Sequence, residues 1–192
     1  MHNNYSTQLY KKISALSEIS DDGLDKLFGA IVVKEMKKGA YLLSEGQICR
    51  HMYFVEKGYL RTFVNKDGIE INTSFAFETA FTSDLKSLST DNPSGVIIQA
   101  GENTTLYMFE KKALLALYKV SPEIESFGRK LLSQMLIAQQ GHADIFKTCT
   151  PAERYQYLMA HEPEMLKRVS LSHIASYLGM ARETLSRIRK LK

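Results

Sequence analysis

The chain has no tryptophan, four prolines and only two cysteines, Cys49 and Cys149, among 192 residues. So few thiols exclude a disulfide framework, a four-thiolate zinc site and an all-cysteine iron–sulfur cluster within one chain. No stretch approaches the roughly 18 apolar residues of a membrane span, and MHNNYSTQLYKK has no signal-peptide apolar core. The expectation is therefore a soluble, cytoplasmic protein without membrane contact. Of the five histidines, His51 alone lies between residues 31 and 110. That argues against a metal site or an enzyme on a cupin-like barrel, which would need several histidines and carboxylates at ligand spacing. No catalytic residue, metal or cofactor is assigned.

What is present is ordinary globular chemistry, 44% hydrophobic and 24% charged residues, in a chain long enough for one large domain or two small ones. The charge is unevenly placed. Residues 1–149 carry 17 basic and 17 acidic side chains, whereas residues 150–192 carry 8 and 4. A neutral body with a basic end suits an anionic partner there. On charge alone, a solvated charge-rich helix is the commoner explanation.

Residues 8–29 read as short helices. From Ile31 to Glu110 short apolar or alternating runs follow, with glycines at their breaks and a hairpin signal at Asn65-Lys66-Asp67-Gly68. Such a series implies an antiparallel sandwich or barrel. Ser121-Pro122-Glu123 then starts a helix reaching about Phe146. Ile124, Leu131, Ala138 and Ile145 recur every seven residues along it, interleaved with Gly128, Met135 and His142. This seam predicts a second subunit along the helix, with Phe127, Leu132 and Leu136 turned toward the chain's own sandwich; the bland alternative is an intramolecular amphipathic helix. His142 reads as a hydrogen-bonded interfacial histidine, and both cysteines as small apolar side chains. Thr150-Pro151-Ala152-Glu153 is a capping box that opens a last domain.

Within that domain, LSHIASYLGMARETLSRIRK (171–190) has the spacing of a helix-turn-helix. Ile174, Leu178, Met180, Leu185 and Ile188 supply the inner faces. Ala175 is small where two helices cross, and Gly179 accepts the left-handed turn. The outer face of the second helix carries Arg182, Glu183, Ser186, Arg187 and Arg189. Arginine can bond guanine O6 and N7 together, and a carboxylate can accept from cytosine N4. Glu183 would repel phosphate, so it either reads a base edge or pairs with Arg187 along the helix.

On these residues the chain resembles the Crp/Fnr family of bacterial transcription regulators. LLSEGQICRHMYFVEKGYLRTFVNKDGIEI (42–71) looks like the first half of that family's β-roll, and ARETLSRIRK like its recognition helix. The resemblance implies an α+β fold: an antiparallel, jelly-roll β-roll resembling cyclic-nucleotide-binding domains (1–120), a dimerisation helix (121–148) and a helix-turn-helix domain (149–192). It implies a homodimer on a palindromic double-stranded DNA operator with TGA-like half-sites, with RNA polymerase as a further partner. Arg182, Glu183, Ser186 and Arg187 would read bases. Ser170, Ser172, Thr184, Arg189 and Lys190 would contact phosphates. In the family's phosphate cassette this chain has Ser83-Asp84 and Ser94-Gly95, without the arginine that neutralises a cyclic phosphate. These four mark an effector pocket for which cyclic AMP is a poor ligand. Ala181 replaces a usual capping hydroxyl, and the sequence given stops at Lys192 without a wing. Two rivals stay open: a cyclic-nucleotide-responsive activator with a rearranged pocket, and a partner-binding module whose helix-turn-helix is purely structural.

Overall fold

The computed structural model describes residues 6–190; Lys192 of the basic end and the first five residues of the N-terminal stretch lie outside it. Two short helices, α1 (Thr7–Leu16) and α2 (Asp21–Gly29), come first. Ser6 and Ser20 cap them, each accepting from a backbone N–H three residues on. Eight strands follow: β1 (Ile31–Met36), β2 (Tyr41–Leu43), β3 (His51–Lys57), β4 (Leu60–Lys66), β5 (Ile69–Ala76), β6 (Phe81–Thr82), β7 (Ile97–Ala100) and β8 (Thr104–Glu110). They form two antiparallel four-stranded sheets, ordered β1-β8-β3-β6 and β2-β7-β4-β5. A short helix, α3 (Leu85–Thr90), interrupts the series after β6. The β4–β5 turn is the one expected: Asp67 and Gly68 both take positive φ, and Asn65 Oδ1 accepts from the Gly68 amide at 2.9 Å.

Strand β3 shows why its sequence is a continuous apolar run rather than an alternation. Tyr53 and Val55 face the interior between the sheets, with Leu60, Ile98 and Leu106. Met52 and Phe54 face outward into a second core, built with Leu9, Ile13, Leu24 and Leu27 of the first two helices. Both faces are buried, so both must be apolar.

After α4 (Lys111–Val120) comes the long helix α5 (Pro122–Thr148), capped by Ser121. Its N-terminal half closes the second core, and this corrects the expected dimer seam. Ile124 is 0% exposed and Leu131 6%, both packed in the chain's own core with Phe127, while Met135 rests against it. Gly128 lies directly beneath Tyr118, with no room for a side chain. Leu132 and Leu136, expected to face inward, are 46% and 64% exposed, and Ile137 is 69% exposed. The reason is helical phase. Residues 124, 128, 131 and 135 form one stripe, and each leucine lies one residue, about 100°, round from it. Ala138, also assigned to the seam, is exposed, and His142 and Ile145 are half-buried toward the last domain.

That domain comprises α6 (Pro151–His161), α7 (Pro163–Arg168), α8 (Leu171–Tyr177) and α9 (Arg182–Lys190). The Thr150 capping box opens α6. Tyr155, Leu158, Met165, Val169, Ile174, Leu178 and Leu185 form a third core, completed by Tyr59, Phe75 and Phe77 of the β-roll.

Candidate nucleic-acid interface

The α8–α9 pair begins at Ser170, whose hydroxyl accepts from the His173 amide at 3.2 Å and caps α8. The helix ends in a Schellman motif, Met180 N–H to Ala175 O and Gly179 N–H to Ser176 O, with Gly179 at φ +67°. Ala175 is buried where the helices cross. The backbone carbonyl of Ala181 starts α9 by accepting from the Leu185 amide.

Around α9, at about 100° per residue, Arg189, Arg182, Ser186, Lys190, Glu183 and Arg187 fall within one arc of roughly 160°. Leu185 is buried on the opposite side, and Ile188 packs there too. Arg182, Glu183, Arg187, Arg189 and Lys190 are exposed and Ser186 half-buried. Thr184 stands apart from this arc, beside the buried side, where its hydroxyl meets Arg187 Nη2 at 3.5 Å. Glu183 forms no ion pair with Arg187 among the described residues. Its carboxylate is free to accept from a ligand. Ser172, the second residue of α8, is exposed in its first turn. Together these side chains present hydrogen-bonding groups of both signs at the protein surface.

The residues assigned to an effector pocket are not gathered into one. A cleft of about 860 Å³ separates the β-roll, α5 and the last domain; Ser83 and Asp84 line it, whereas Ser94 and Gly95 do not. Ser94 is buried, its hydroxyl closing a local turn with Val96. The Asp84 carboxylate caps α3 through the amides of Lys86 and Ser87. The Ser83 hydroxyl donates to His51 O at 2.9 Å. Two cations border the cleft, Lys86 and Arg154. Arg154 is engaged: it donates to Phe146 O, Cys149 O and Leu178 O at 2.7, 3.1 and 3.1 Å and stacks over the Phe146 ring. It thereby ties the C-terminus of α5 to the turn of the helix-turn-helix. His142 also lines the cleft. Among the described residues its Nε2 is buried without a hydrogen-bond partner, the ring lying against Phe146 and Tyr177. Burial there holds its pKa below the ordinary imidazole value.

Three further residues join the last domain to the β-roll. Arg168 makes a bidentate pair with Glu78 at 2.7 and 2.8 Å and reaches Glu102 at 2.6 Å. Ser176 of α8 donates to Glu70 O and accepts from the Asn72 amide of β5. Buried Arg61 of β4 reaches Gln99, Glu70 and, at 3.3 Å, His173 Nε2. An arginine in an alternating strand was the available sequence sign for Arg61; nothing in the sequence shows its partner 112 positions away.

Among the described residues, no cluster of three or more His, Cys, Asp or Glu could hold a metal ion, and no helix is long and apolar enough to cross a membrane. Residues 33–121 match the cyclic nucleotide-binding domain family. No curated protein matches the chain. Among solved structures, FixK2 from Bradyrhizobium japonicum is similar with a TM-score of 0.70 at 17% identity, over 84% of this chain and 83% of that one. The c-di-GMP-responsive global regulator CLP of Xanthomonas campestris gives 0.70 at 16%, over 90% and 91%. A CooA mutant from Carboxydothermus hydrogenoformans gives 0.69 at 15%, over 99% and 84%. By fold, then, the chain is a jelly-roll of the cyclic-nucleotide-binding type joined through a long helix to a helix-turn-helix domain.

Proposed function

We propose that the chain is a sequence-specific DNA-binding transcription regulator of the Crp/Fnr type, acting as a homodimer under control of a signal received at the β-roll. The observation that carries this reading is the exposed arc of α9, where Arg182, Glu183, Ser186 and Arg187 stand together on a helix-turn-helix. Arg189 and Lys190, with Ser170 and Ser172, would contact phosphates. Two copies would pair through the apolar face of α5 formed by Leu132, Leu136 and Ile137, rather than through the buried seam. The shared fold with CLP, a regulator responsive to cyclic di-GMP, supports a ligand-controlled mechanism; RNA polymerase would be the downstream partner. Cyclic AMP is a poor effector on this reading, because Arg154 is already engaged and Lys86 alone would face a cyclic phosphate. The activity is placed in the cytoplasm.

The test starts from genomic DNA enriched by the purified protein, which yields the operator. Glu183→Ala should relax preference at one base pair by roughly 1–3 kcal/mol while nonspecific affinity holds or rises. Lys190→Ala should weaken all sequences alike and flatten the salt dependence. If Glu183→Ala weakened every sequence equally, the base-reading assignment would be wrong.

A further inference from the structure

Helix α8 meets the β-roll through a contact that accepts only one protonation state. Arg61 Nη1 lies 3.3 Å from His173 Nε2. A guanidinium can only donate, so Nε2 must be the acceptor of a neutral imidazole. The charged groups acting on His173 are Arg61 on β4 and Glu70 on β5, and Glu70 is itself paired to Arg61 at 2.6 Å. Asn72 on β5 and Gln99 on β7, which share the guanidinium, are neutral, and the other titratable group of α8, Tyr177, stays a neutral phenol because burial pushes its pKa up. Burial, then Arg61, holds the His173 pKa below the ordinary value, with Glu70 opposing. The joint is also imperfect, since the Asn72 Nδ2 is buried there without a partner among the described residues.

We propose that this contact is a proton-sensitive latch: a proton on His173 places imidazolium against guanidinium and loosens the helix-turn-helix domain from the β-roll. The linkage sign follows from the lowered pKa. Docking is favoured while His173 is neutral and weakens as pH falls through the value of the undocked imidazole, about 6.5. Between pH 7.5 and 5.5 the docking constant therefore falls, by up to about tenfold. The second polar joint does not follow it. Glu78, held below the ordinary carboxylate range by its bonds to Arg168, stays ionised across that window. The domain accordingly pivots about the Arg168 cluster and lifts at α8.

The experiment reads docking, not DNA binding, so its outcome is separate from that of the regulator assignment. Amide exchange is measured by NMR on the full chain, as protection factors corrected for intrinsic pH dependence. The reporter is the Asn72 amide, bonded to Ser176 Oγ at 3.0 Å. The reference is the Val55 amide, bonded to Ala80 O inside the roll. Asn72 protection should fall, by up to about tenfold, from pH 7.5 to 5.5 while Val55 stays constant. In His173→Gln, which keeps a neutral acceptor, the drop should shrink below twofold; in Arg61→Gln it should also be reduced. Constant Asn72 protection in the wild type, an equal drop in His173→Gln, or a parallel drop at Val55 would each overturn the latch.

Discussion

Replacing Arg154 with alanine tests how the long helix is coupled to the last domain. The guanidinium donates to Phe146 O and Cys149 O at the end of α5 and to Leu178 O at the end of α8. Helix C-termini leave their last carbonyls without intrahelical donors, and a cation there also meets the negative end of the helix dipole. A hydrogen bond to a charged group contributes about 1.5–3 kcal/mol when buried. These three are part-buried, and water can replace some of them, so about 3 kcal/mol is expected for the set. For a chain of this size that corresponds to a fall in Tm of roughly 6–12 °C. Arg154→Lys keeps the charge but cannot span three carbonyls, so it should recover less than half. Thermal unfolding followed by circular dichroism, at fixed protein concentration, measures both. A loss below about 0.5 kcal/mol for the alanine variant would show that water serves the carbonyls as well, and the coupling argument would fail.

Two further pairs of substitutions separate surface from core and turn strain from packing. Leu136→Asp should give a folded 21.8 kDa particle by sedimentation, whereas Leu131→Ala should cost about 2–4 kcal/mol of stability and leave the assembly unchanged; a dimer that survives Leu136→Asp sinks the proposed face. Gly179→Ala should cost about 1–2 kcal/mol for its positive φ alone, because an added Cβ would meet only ordinary contacts at 3.5 Å. Gly179→Asn, which tolerates that conformation, should recover most of the loss in chemical denaturation.

Local features were legible because their physics is local. The Thr150 capping box, the Asp67-Gly68 turn and the Ala175–Gly179 spacing each involve residues within one or two turns of chain, and all take the geometry their residue types favour. The seam on α5 was legible as a stripe but not as a destination: heptad spacing shows that Ile124 and Leu131 are covered, and α1, α2, α4 and the outer face of the β-roll proved to be the cover. The cassette residues failed for a related reason. Asp84 and Ser94 have short polar side chains that bond their own backbone neighbourhood as readily as a ligand, and here they do so. Arg61, Arg154 and Arg168 each reach at least one partner brought close only by tertiary folding, so their full roles become visible only in three dimensions.

The Ser176 hydroxyl has a consequence beyond holding α8 in place. β5 is the last strand of its sheet, and the hydroxyl occupies the Glu70 carbonyl and the Asn72 amide, standing in for the neighbouring strand that is absent. When α8 leaves, those groups become an open hydrogen-bonding edge, flanked by the exposed Ile69 and Ile71. Such an edge can recruit a strand from another molecule and propagate into aggregates. Domain movement is thereby tied to colloidal stability: any state in which the helix-turn-helix stays away from the roll must be short-lived, or must cover β5 with something else.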